Sequence, residues 1–155
     1  MSLESVRAFF AEKSPDITVM ESPISSATVA LAAEAYGVEP GMIAKTLSLR
    51  VDERVILIVA AGTSRMDNKK VKAAFGGKPK MLGLEEVAEI TGHEVGGVCP
   101  FGLKKPLPIY CDVSMKAFDI MVPAAGSTHS AVKIAPERMA ELVGAEWVDV
   151  CEVRP

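Results

Sequence analysis

Apolar residues recur along the chain either at helical spacing or at every second position, and these two periods predict interleaved helices and strands. Ser26 is the predicted N-cap of the second helix, Gly37 ends it, and Pro136 begins the last helix. The predicted helical segments are Leu3 to Phe10 (ended by Pro15), Ala27 to Tyr36, a short turn from Pro40 through Ala44, the stretch from the N-cap Asp67 to Phe75, Leu84 to Ile90, and Glu137 to Val143.

Strand patterns fill most of the intervals between these helices. Residues 46–51 alternate polar and apolar, Asp52 and Glu53 form a turn, and residues 54–61 return as a more fully buried strand. The predicted strands are Thr46 to Val51, Arg54 to Ala61, Leu107 to Cys111, Asp119 to Val122, Ser130 to Ile134 and Trp147 to Val150. Because hairpin-like pairs exclude an all-parallel sheet, we expect a mixed α/β chain tending to α+β, in a single domain over residues 1–155.

Composition narrows the class of protein. Of the 155 residues 49% are hydrophobic but only 5% are aromatic, so the core is expected to be aliphatic. The net charge of −3 argues against a surface that coats long nucleic acid, although it is compatible with a local basic patch. The longest apolar run, Val55 to Ala61, has seven residues, whereas a membrane span needs about 18. We therefore expect no membrane segment.

Cysteine and histidine usage bears on the compartment and on metals. Cys99, Cys111 and Cys151 are odd in number and show no CxxC spacing, which favours reduced thiols in the cytoplasm over a disulfide framework. His93 and His129 are far apart in sequence, and there is no HExxH motif. We expect no metal site and no cofactor. The first residues lack a basic region followed by an apolar stretch, so no secretory signal is expected.

The first segment with candidate chemistry is Ile43-Ala44-Lys45-Thr46-Leu47, where Lys45 stands at the predicted junction of a helix and a strand. A solvated lysine is the common explanation for such a residue. The alternative is an ammonium group directed into a cleft, where it binds a phosphate or stabilises a developing oxyanion.

Two further segments are rich in glycine or in small residues. The sequence GHEVGGVCPFG at residues 92–102 is either a turn-rich connector or a loop whose backbone N–H groups form an oxyanion hole. It lacks the Gly-Lys-Ser/Thr ending of a phosphate-binding P-loop. Residues 124–130, AAGSTHS, form either a hairpin turn or a tight pocket in which Ser127, Thr128 or His129 offers hydrogen bonds. No GxSxG motif supports a Ser-His-Asp triad there.

The order of these segments resembles the YbaK/EbsC family, which is related to the editing domain inserted in bacterial prolyl-tRNA synthetases. The resemblance runs from about Ser22 to Val150, and its most specific parts are the lysine followed by Thr-Leu and the Gly-Gly-Val-x-Pro-Phe-Gly loop. It implies a largely antiparallel or mixed, barrel-like sheet surrounded by helices. It also implies trans-editing, the hydrolysis of the ester between a wrongly attached amino acid and the 3′ end of a tRNA.

The resemblance carries over individual positions. These are Lys45 as the family's lysine, Gly96, Gly97 and Pro100 as its glycine-and-proline loop, and Gly126 as its later glycine turn. Cys99 stands where serine is expected in many relatives, and the sequence places no base beside it that would make it a nucleophile.

An aminoacyl ester is already activated, so positioning and carbonyl polarisation suffice when water is the nucleophile. We expect Lys45 to anchor the terminal adenosine and to add positive charge near the ester. The backbone N–H groups expected to polarise the carbonyl belong to Gly96, Gly97, Val98 and Cys99. The residues expected to contact the substrate are Thr46, Pro100, Gly102, Gly126, Ser127, Thr128 and His129. Either the substrate's ribose hydroxyl or His129 is expected to activate the water, and small pocket residues favour alanine, serine or cysteine as the amino acid.

Lysines supply the expected contact with the tRNA acceptor end, unless they form an ordinary solvated face. They are Lys69, Lys70, Lys72, Lys78, Lys80, Lys104 and Lys105. With few phosphate contacts the affinity is expected to be modest, so a synthetase or an elongation factor is a candidate partner. The competing hypothesis is a module that binds a nucleotide or a tRNA end, or a synthetase, without hydrolysis.

Overall fold

The computed structural model describes residues 2–153. Met1, Arg154 and Pro155, which belong to the predicted domain over residues 1–155, lie outside the described residues. Five α-helices and ten β-strands are interleaved in the described part. The helices are α1 (Ser2–Lys13), α2 (Val29–Tyr36), α3 (Asn68–Phe75), α4 (Leu84–Thr91) and α5 (Pro136–Val143). The strands are β1 (Met20–Glu21), β2 (Ile43–Val51), β3 (Arg54–Ala61), β4 (Ser64–Met66), β5 (Pro79–Met81), β6 (Ile109–Asp112), β7 (Val122–Pro123), β8 (Ser130–Ala131), β9 (Glu146–Val148) and β10 (Cys151–Val153).

The main sheet has the order β5-β2-β3-β6-β9, with β7 also paired to β2. Strand β2 is antiparallel to β3 and β5 but parallel to β7, and the pairs β3–β6 and β6–β9 are parallel. Two small antiparallel pairs, β1–β8 and β4–β10, complete the pairing. The prediction of a mixed α+β fold is confirmed.

The ends of two helices test the capping predictions. Asp67 caps α3 as predicted, because its Oδ1 accepts hydrogen bonds from the backbone N–H groups of Lys69 and Lys70. The predicted cap of α2 is wrong: Thr28, not Ser26, accepts from the N–H of Leu31 at 3.2 Å. The Ser26 hydroxyl is used elsewhere, since it donates to the carbonyl oxygen of Thr128.

The beginning of β2 corrects the predicted placement of Lys45. The helical turn predicted from Pro40 through Ala44 is a 3₁₀ helix that ends at Met42. Ile43 and Ala44 already belong to β2, because β7 pairs with them. Lys45 therefore lies inside a strand and not at a helix–strand junction.

The short strands depart most from the predictions. Instead of strands at 119–122 and 130–134, the chain forms the two-residue strands β7 and β8, joined by the isolated bridges Met121–Ile134 and Ala124–Ala131. Strands β1, β4 and β5 lie where none was predicted. The predicted last strand, residues 147–150, is replaced by β9 and a separate β10 that pairs with β4. The hairpin of β2 and β3 and helices α1, α3, α4 and α5 agree with the predictions.

The core is aliphatic as expected, with one aromatic cluster that supports the glycine-rich loop. The Phe10 ring on α1 lies 4.7 Å from the Phe101 ring, centroid to centroid, and both side chains are buried. Val6, one turn earlier on α1, is also fully buried. Helix α1 thus packs beneath residues 92–102 and fixes the position of that loop.

A gap in the sheet beside β2 is the feature of the fold that creates a site. Strand β3 pairs with β2 along residues 44–51. On the other edge, β7 pairs only with residues 43–44 and β5 only with residues 49–51. Among the described strands, none pairs with residues 45–48 on that edge.

Candidate active site

A cavity of about 260 Å³ opens at the gap beside β2. Its walls come from α2, β2, the β5–α4 connection, the glycine-rich loop and the β7–β8 region. Four residues predicted for the site line it: Lys45, Thr46, Gly96 and Val98. The structure thus brings the lysine segment and the glycine-rich loop to a single cavity.

Lys45 is half-buried and tethered at its tip. Its Nζ atom donates to the carbonyl oxygen of Ser64 and, at 3.4 Å, to that of Gly62. An ammonium group has three N–H donors, so one donor remains for a substrate. Burial lowers the pKa of Lys45, and a small Coulombic effect of Cys151 raises it. Gly62 lies in the β3–β4 connection and Ser64 begins β4, so this turn of the chain orients the lysine.

Thr46 presents polar groups to the gap. The Ser48 carbonyl oxygen accepts from the N–H of Leu82 at 3.1 Å, so the backbone of Ser48 is directed away from β3. Because backbone groups alternate between the two edges of a strand, the N–H and C=O of Thr46 are directed to the same edge, inside the gap. Its Oγ1 atom is buried and has no hydrogen-bond partner among the described residues.

The glycine-rich loop packs directly on the segment 124–130. The N–H of Gly126 donates to the carbonyl oxygen of Gly97 at 3.1 Å. A Cβ atom on Gly97 would lie 2.7 Å from the backbone nitrogen of Ser127, closer than real Cβ contacts. Glycine at position 97 is therefore required for the two loops to approach each other.

Hydrogen bonds narrow the set of candidate oxyanion donors. The N–H of Gly97 donates to the carbonyl oxygen of Glu94 at 2.9 Å, so it is not free for a substrate. Cys99 is fully buried and does not line the cavity. Gly96 and Val98 both line the cavity, and their N–H groups have no acceptor within residues 2–153. Of the four predicted donors, these two fit the role.

Cys99 lies beside His93, a residue of the same loop that the sequence alone did not place to activate the thiol. Its Sγ atom is 3.6 Å from Nε2 of His93. That Nε2 lies 2.7 Å from the carbonyl oxygen of Phe101, and the other ring nitrogen, Nδ1, bonds to the Ser2 hydroxyl. Burial lowers the pKa of His93 and raises the pKa of Cys99 to about 12. The pair is buried and unfit to form a thiolate.

Three predicted site residues do not line the cavity, and two of them lie against α1. Gly102 accepts a hydrogen bond from the Ser5 hydroxyl of α1 at 3.0 Å. A Cβ on Gly126 would lie 2.7 Å from the carbonyl oxygen of Ser2. Pro100 is buried. Their contacts hold the glycine-rich loop and the segment 124–130 against α1.

The segment 124–130 contributes to the cavity through its ends rather than through its centre. Ala124 and Ser130 line the cavity, whereas Ser127, Thr128 and His129 do not. Ser127 Oγ bonds to Ser130 Oγ at 2.6 Å. Thr128 Oγ1 bonds to Nδ1 of the exposed His129 at 2.9 Å. The imidazole of His129 thus lies outside the cavity, and its role as a base loses support.

Part of the remaining wall comes from six residues for which the sequence predicted no role in a site. They lie on α2 and around the start of α4: Val29, Ala32, Tyr36, Leu82, Leu84 and Val87. Burial raises the pKa of Tyr36, an effect that the Ser26 side chain opposes. In sequence these residues belong to ordinary apolar helix faces, and no signal separates them from core positions.

The lysines predicted to form one basic rim are separated. Lys80 is exposed and precedes Met81, which lines the cavity. Lys70 donates to Asp149 at 3.1 Å. Lys104 lines a different depression, together with Ser2 and Ser5 of α1. Only part of the predicted rim lies next to the cavity.

Within 2–153, no group of three or more His, Cys, Asp or Glu side chains is arranged to hold a metal ion. In the same range, no helix has the length and apolar character that crossing a membrane requires.

Comparison with known proteins gives consistent results. A family model described as "Aminoacyl-tRNA editing domain" matches residues 25–142. The protein YwhH of Bacillus subtilis (strain 168) is 49% identical over 154 residues, which cover 98% of each chain. The "Putative Cys-tRNA(Pro)/Cys-tRNA(Cys) deacylase EbsC" of Enterococcus faecalis (strain ATCC 700802 / V583) is 31% identical over 76% of this chain and 73% of its own. A solved structure, "Crystal structure of a putative trans-editing enzyme for prolyl tRNA synthetase", superimposes with a TM-score of 0.90 at 31% identity over 97% of both chains.

Proposed function

The chain belongs to the aminoacyl-tRNA editing domain family, and we propose that it is a trans-editing hydrolase that deacylates mischarged tRNA. The observation that carries this proposal is the convergence of Lys45 with Gly96 and Val98 at one cavity of about 260 Å³. A cation and two free backbone donors are the groups that polarising an ester carbonyl requires.

In the proposed reaction, water attacks the ester carbonyl while the N–H groups of Gly96 and Val98 stabilise the developing oxyanion. The bond from the carbonyl carbon to the ribose oxygen then breaks, and that oxygen takes up the proton that the water releases. Lys45 contributes positive charge and binds the sugar or phosphate of the terminal adenosine. The free ribose hydroxyl of the substrate assists the attacking water, since the polar side chains at the cavity include no histidine or carboxylate. No covalent enzyme intermediate forms, and no metal ion takes part.

The volume of the cavity supports a small amino acid. At about 260 Å³ the cavity is smaller than usual ligand pockets of about 300–1,000 Å³. Its walls are mainly valine, alanine, isoleucine and leucine, and we propose that they exclude a bulky side chain once the ester has entered. Alanine, serine and cysteine are the proposed candidates, and EbsC, the Enterococcus relative, is described with cysteine-charged tRNA.

The proposed partner is the 3′ acceptor end of an aminoacyl-tRNA in the cytoplasm. Exposed Lys80 beside the cavity supports contact with its phosphates. Because the net charge is −3, affinity from this chain alone is expected to be modest. A synthetase or an elongation factor is therefore proposed to supply further affinity.

The test is deacylation of a panel of tRNAs mischarged with alanine, serine, cysteine and, for comparison, a bulky amino acid. Loss of the ester at rates above the buffer background, for the small amino acids only, supports the hydrolase. Tight binding of these tRNAs without turnover would instead support a non-catalytic binding module.

A further inference from the structure

The polar side chains of the cavity divide into satisfied and unsatisfied groups. Ser26 donates to the carbonyl oxygen of Thr128, and Ser130 bonds to Ser127. Thr28 accepts from Leu31 at the start of α2. In the described chain, Tyr36 Oη and Thr46 Oγ1 are the two buried side-chain polar atoms without a hydrogen-bond partner. Both residues line the cavity.

This concentration of unsatisfied groups is informative because buried polar groups are nearly always hydrogen-bonded. A buried hydroxyl without a partner costs free energy that nothing else in the fold recovers at these two positions. The cavity is large enough to admit water, which would satisfy the hydroxyls while no substrate is bound. A ligand that displaces this water must provide hydrogen bonds of its own, or it binds weakly.

Neither hydroxyl receives a hydrogen bond from the described residues around it. The Ser26 hydroxyl is close enough to lower the pKa of Tyr36, but its own proton is donated to the carbonyl oxygen of Thr128, so it gives no hydrogen bond to the lone pairs of Tyr36 Oη. Thr46 lies on the segment of β2 that has no strand beside it at the gap. The nearby cavity wall, including Ala32, Ala44 and Val122, is apolar. Apart from the Lys45 ammonium and the backbone groups of Thr46, Gly96 and Val98, the unsatisfied polar groups that the described residues leave for a ligand are these two hydroxyls.

From these contacts we infer that Thr46 and Tyr36 recognise a hydroxyl group on the side chain of the scissile amino acid, so that serine is preferred to alanine. The inference rests on the proposed function. Cysteine is the weaker ligand, because a thiol is a poor hydrogen-bond donor and acceptor. Recognition of the substrate's α-amino group by the same hydroxyls would give no such preference, since every amino acid carries that group.

The experiment compares kcat/KM for tRNA charged with serine and with alanine in the wild type and in two variants, Thr46→Val and Tyr36→Phe. Each variant removes one hydroxyl and nearly preserves shape. Matched controls are Thr18→Val, at an exposed position, and Tyr110→Phe, whose ring meets the Phe75 ring edge to face, away from the cavity. In parallel, the dissociation constants of amide-linked seryl- and alanyl-3′-amino-3′-deoxyadenosine are measured for all proteins, because the amides bind but do not hydrolyse.

We expect the wild type to prefer serine by at least about tenfold in kcat/KM and in amide binding. Each cavity variant is expected to reduce that ratio by roughly 2- to 12-fold, the scale of one net hydrogen bond. The controls retain the wild-type ratio. Equal binding of the two amides by the wild type, or an unchanged ratio in both cavity variants, would overturn the inference while leaving deacylation intact. Serine-selective binding without any turnover would overturn the proposed hydrolase and support the recognition.

Discussion

Nε2 of His93 lies 3.6 Å from Sγ of Cys99 and only 2.7 Å from the carbonyl oxygen of Phe101. Since a carbonyl oxygen only accepts, Nε2 carries the proton that it donates to Phe101. The imidazole therefore has no lone pair on that nitrogen with which to deprotonate the thiol. The contact holds the loop together and does not form a nucleophile–base pair.

The first prediction follows for Cys99. Cys99→Ser and Cys99→Ala are expected to retain deacylation within about tenfold of wild type, because burial raises the pKa of the thiol to about 12 and the backbone is unchanged. The measurement is kcat/KM on a mischarged tRNA, with mass spectrometry of acid-quenched wild type. Abolished turnover in both folded variants, together with a trapped acyl-cysteine, would make the protein a thiol hydrolase.

The second prediction concerns the positive charge at Lys45. Lys45→Ala is expected to lower kcat/KM by at least ~10²-fold, the usual effect of losing one electrostatic stabiliser. The control is Lys13→Ala at the exposed end of α1, with circular dichroism to show that both variants fold. A Lys45→Ala protein as active as the control would remove Lys45 from the mechanism.

A third prediction links the burial of Lys45 to stability. Its pKa in the folded protein is lowered from the ordinary value of 10.5. Between these two values the unfolded chain binds more protons, so the free energy of unfolding contributed by Lys45 rises with pH. From neutral pH towards pH 10.5, wild type is therefore expected to gain stability relative to Lys45→Met.

Chemical denaturation across this pH range measures that difference, with Lys13→Met as the matched exposed control. The difference in the free energy of unfolding between wild type and Lys13→Met should stay constant across the pH range. If the free energy of unfolding of wild type relative to Lys45→Met stays constant or falls as the pH rises, the ammonium is well solvated in the folded protein.

The fourth prediction concerns the approach of the two loops. Gly97→Ala would place a Cβ 2.7 Å from the backbone nitrogen of Ser127, and overpacking of this kind displaces backbone. We expect at least tenfold lower kcat/KM, because Gly96 and Val98 shift with the loop. Gly144→Ala is the control. Alanine is strained there because φ is 65°, but its Cβ meets nothing within 4 Å. Activity equal to that of the control would show that loop position is unimportant.

The sequence predicted the long elements because their signals are local. Asp67 caps α3, and the alternation before Asp52 predicts the hairpin of β2 and β3. Strands of two or three residues carry no usable period, so β5 was not predicted and the strand predicted at 119–122 overlaps β7 only at Val122. The sequence therefore could not predict the gap between these two strands or the position of the cavity.

The site was predicted in part for the same reason. Lys45 and the glycine-rich loop stand out by residue type, and both reach the cavity. Tyr36 does not stand out, because its distinguishing property is a missing hydrogen-bond partner, which only the packed structure shows. His129 was predicted as a site residue because imidazole is a common base, but its side chain is exposed and lies outside the cavity.

The most direct test of the central claim is the time course of ester loss from serine-charged tRNA with catalytic amounts of wild-type protein, in buffer containing EDTA. We expect multiple turnovers above the buffer background, unaffected by the chelator, and a rate at least ~10²-fold lower with Lys45→Ala. Restoration of activity only by added zinc would contradict the metal-independent mechanism. Complete stability of the ester towards folded wild-type protein, with alanine- and cysteine-charged tRNA behaving alike, would contradict the claim that this chain is a deacylase.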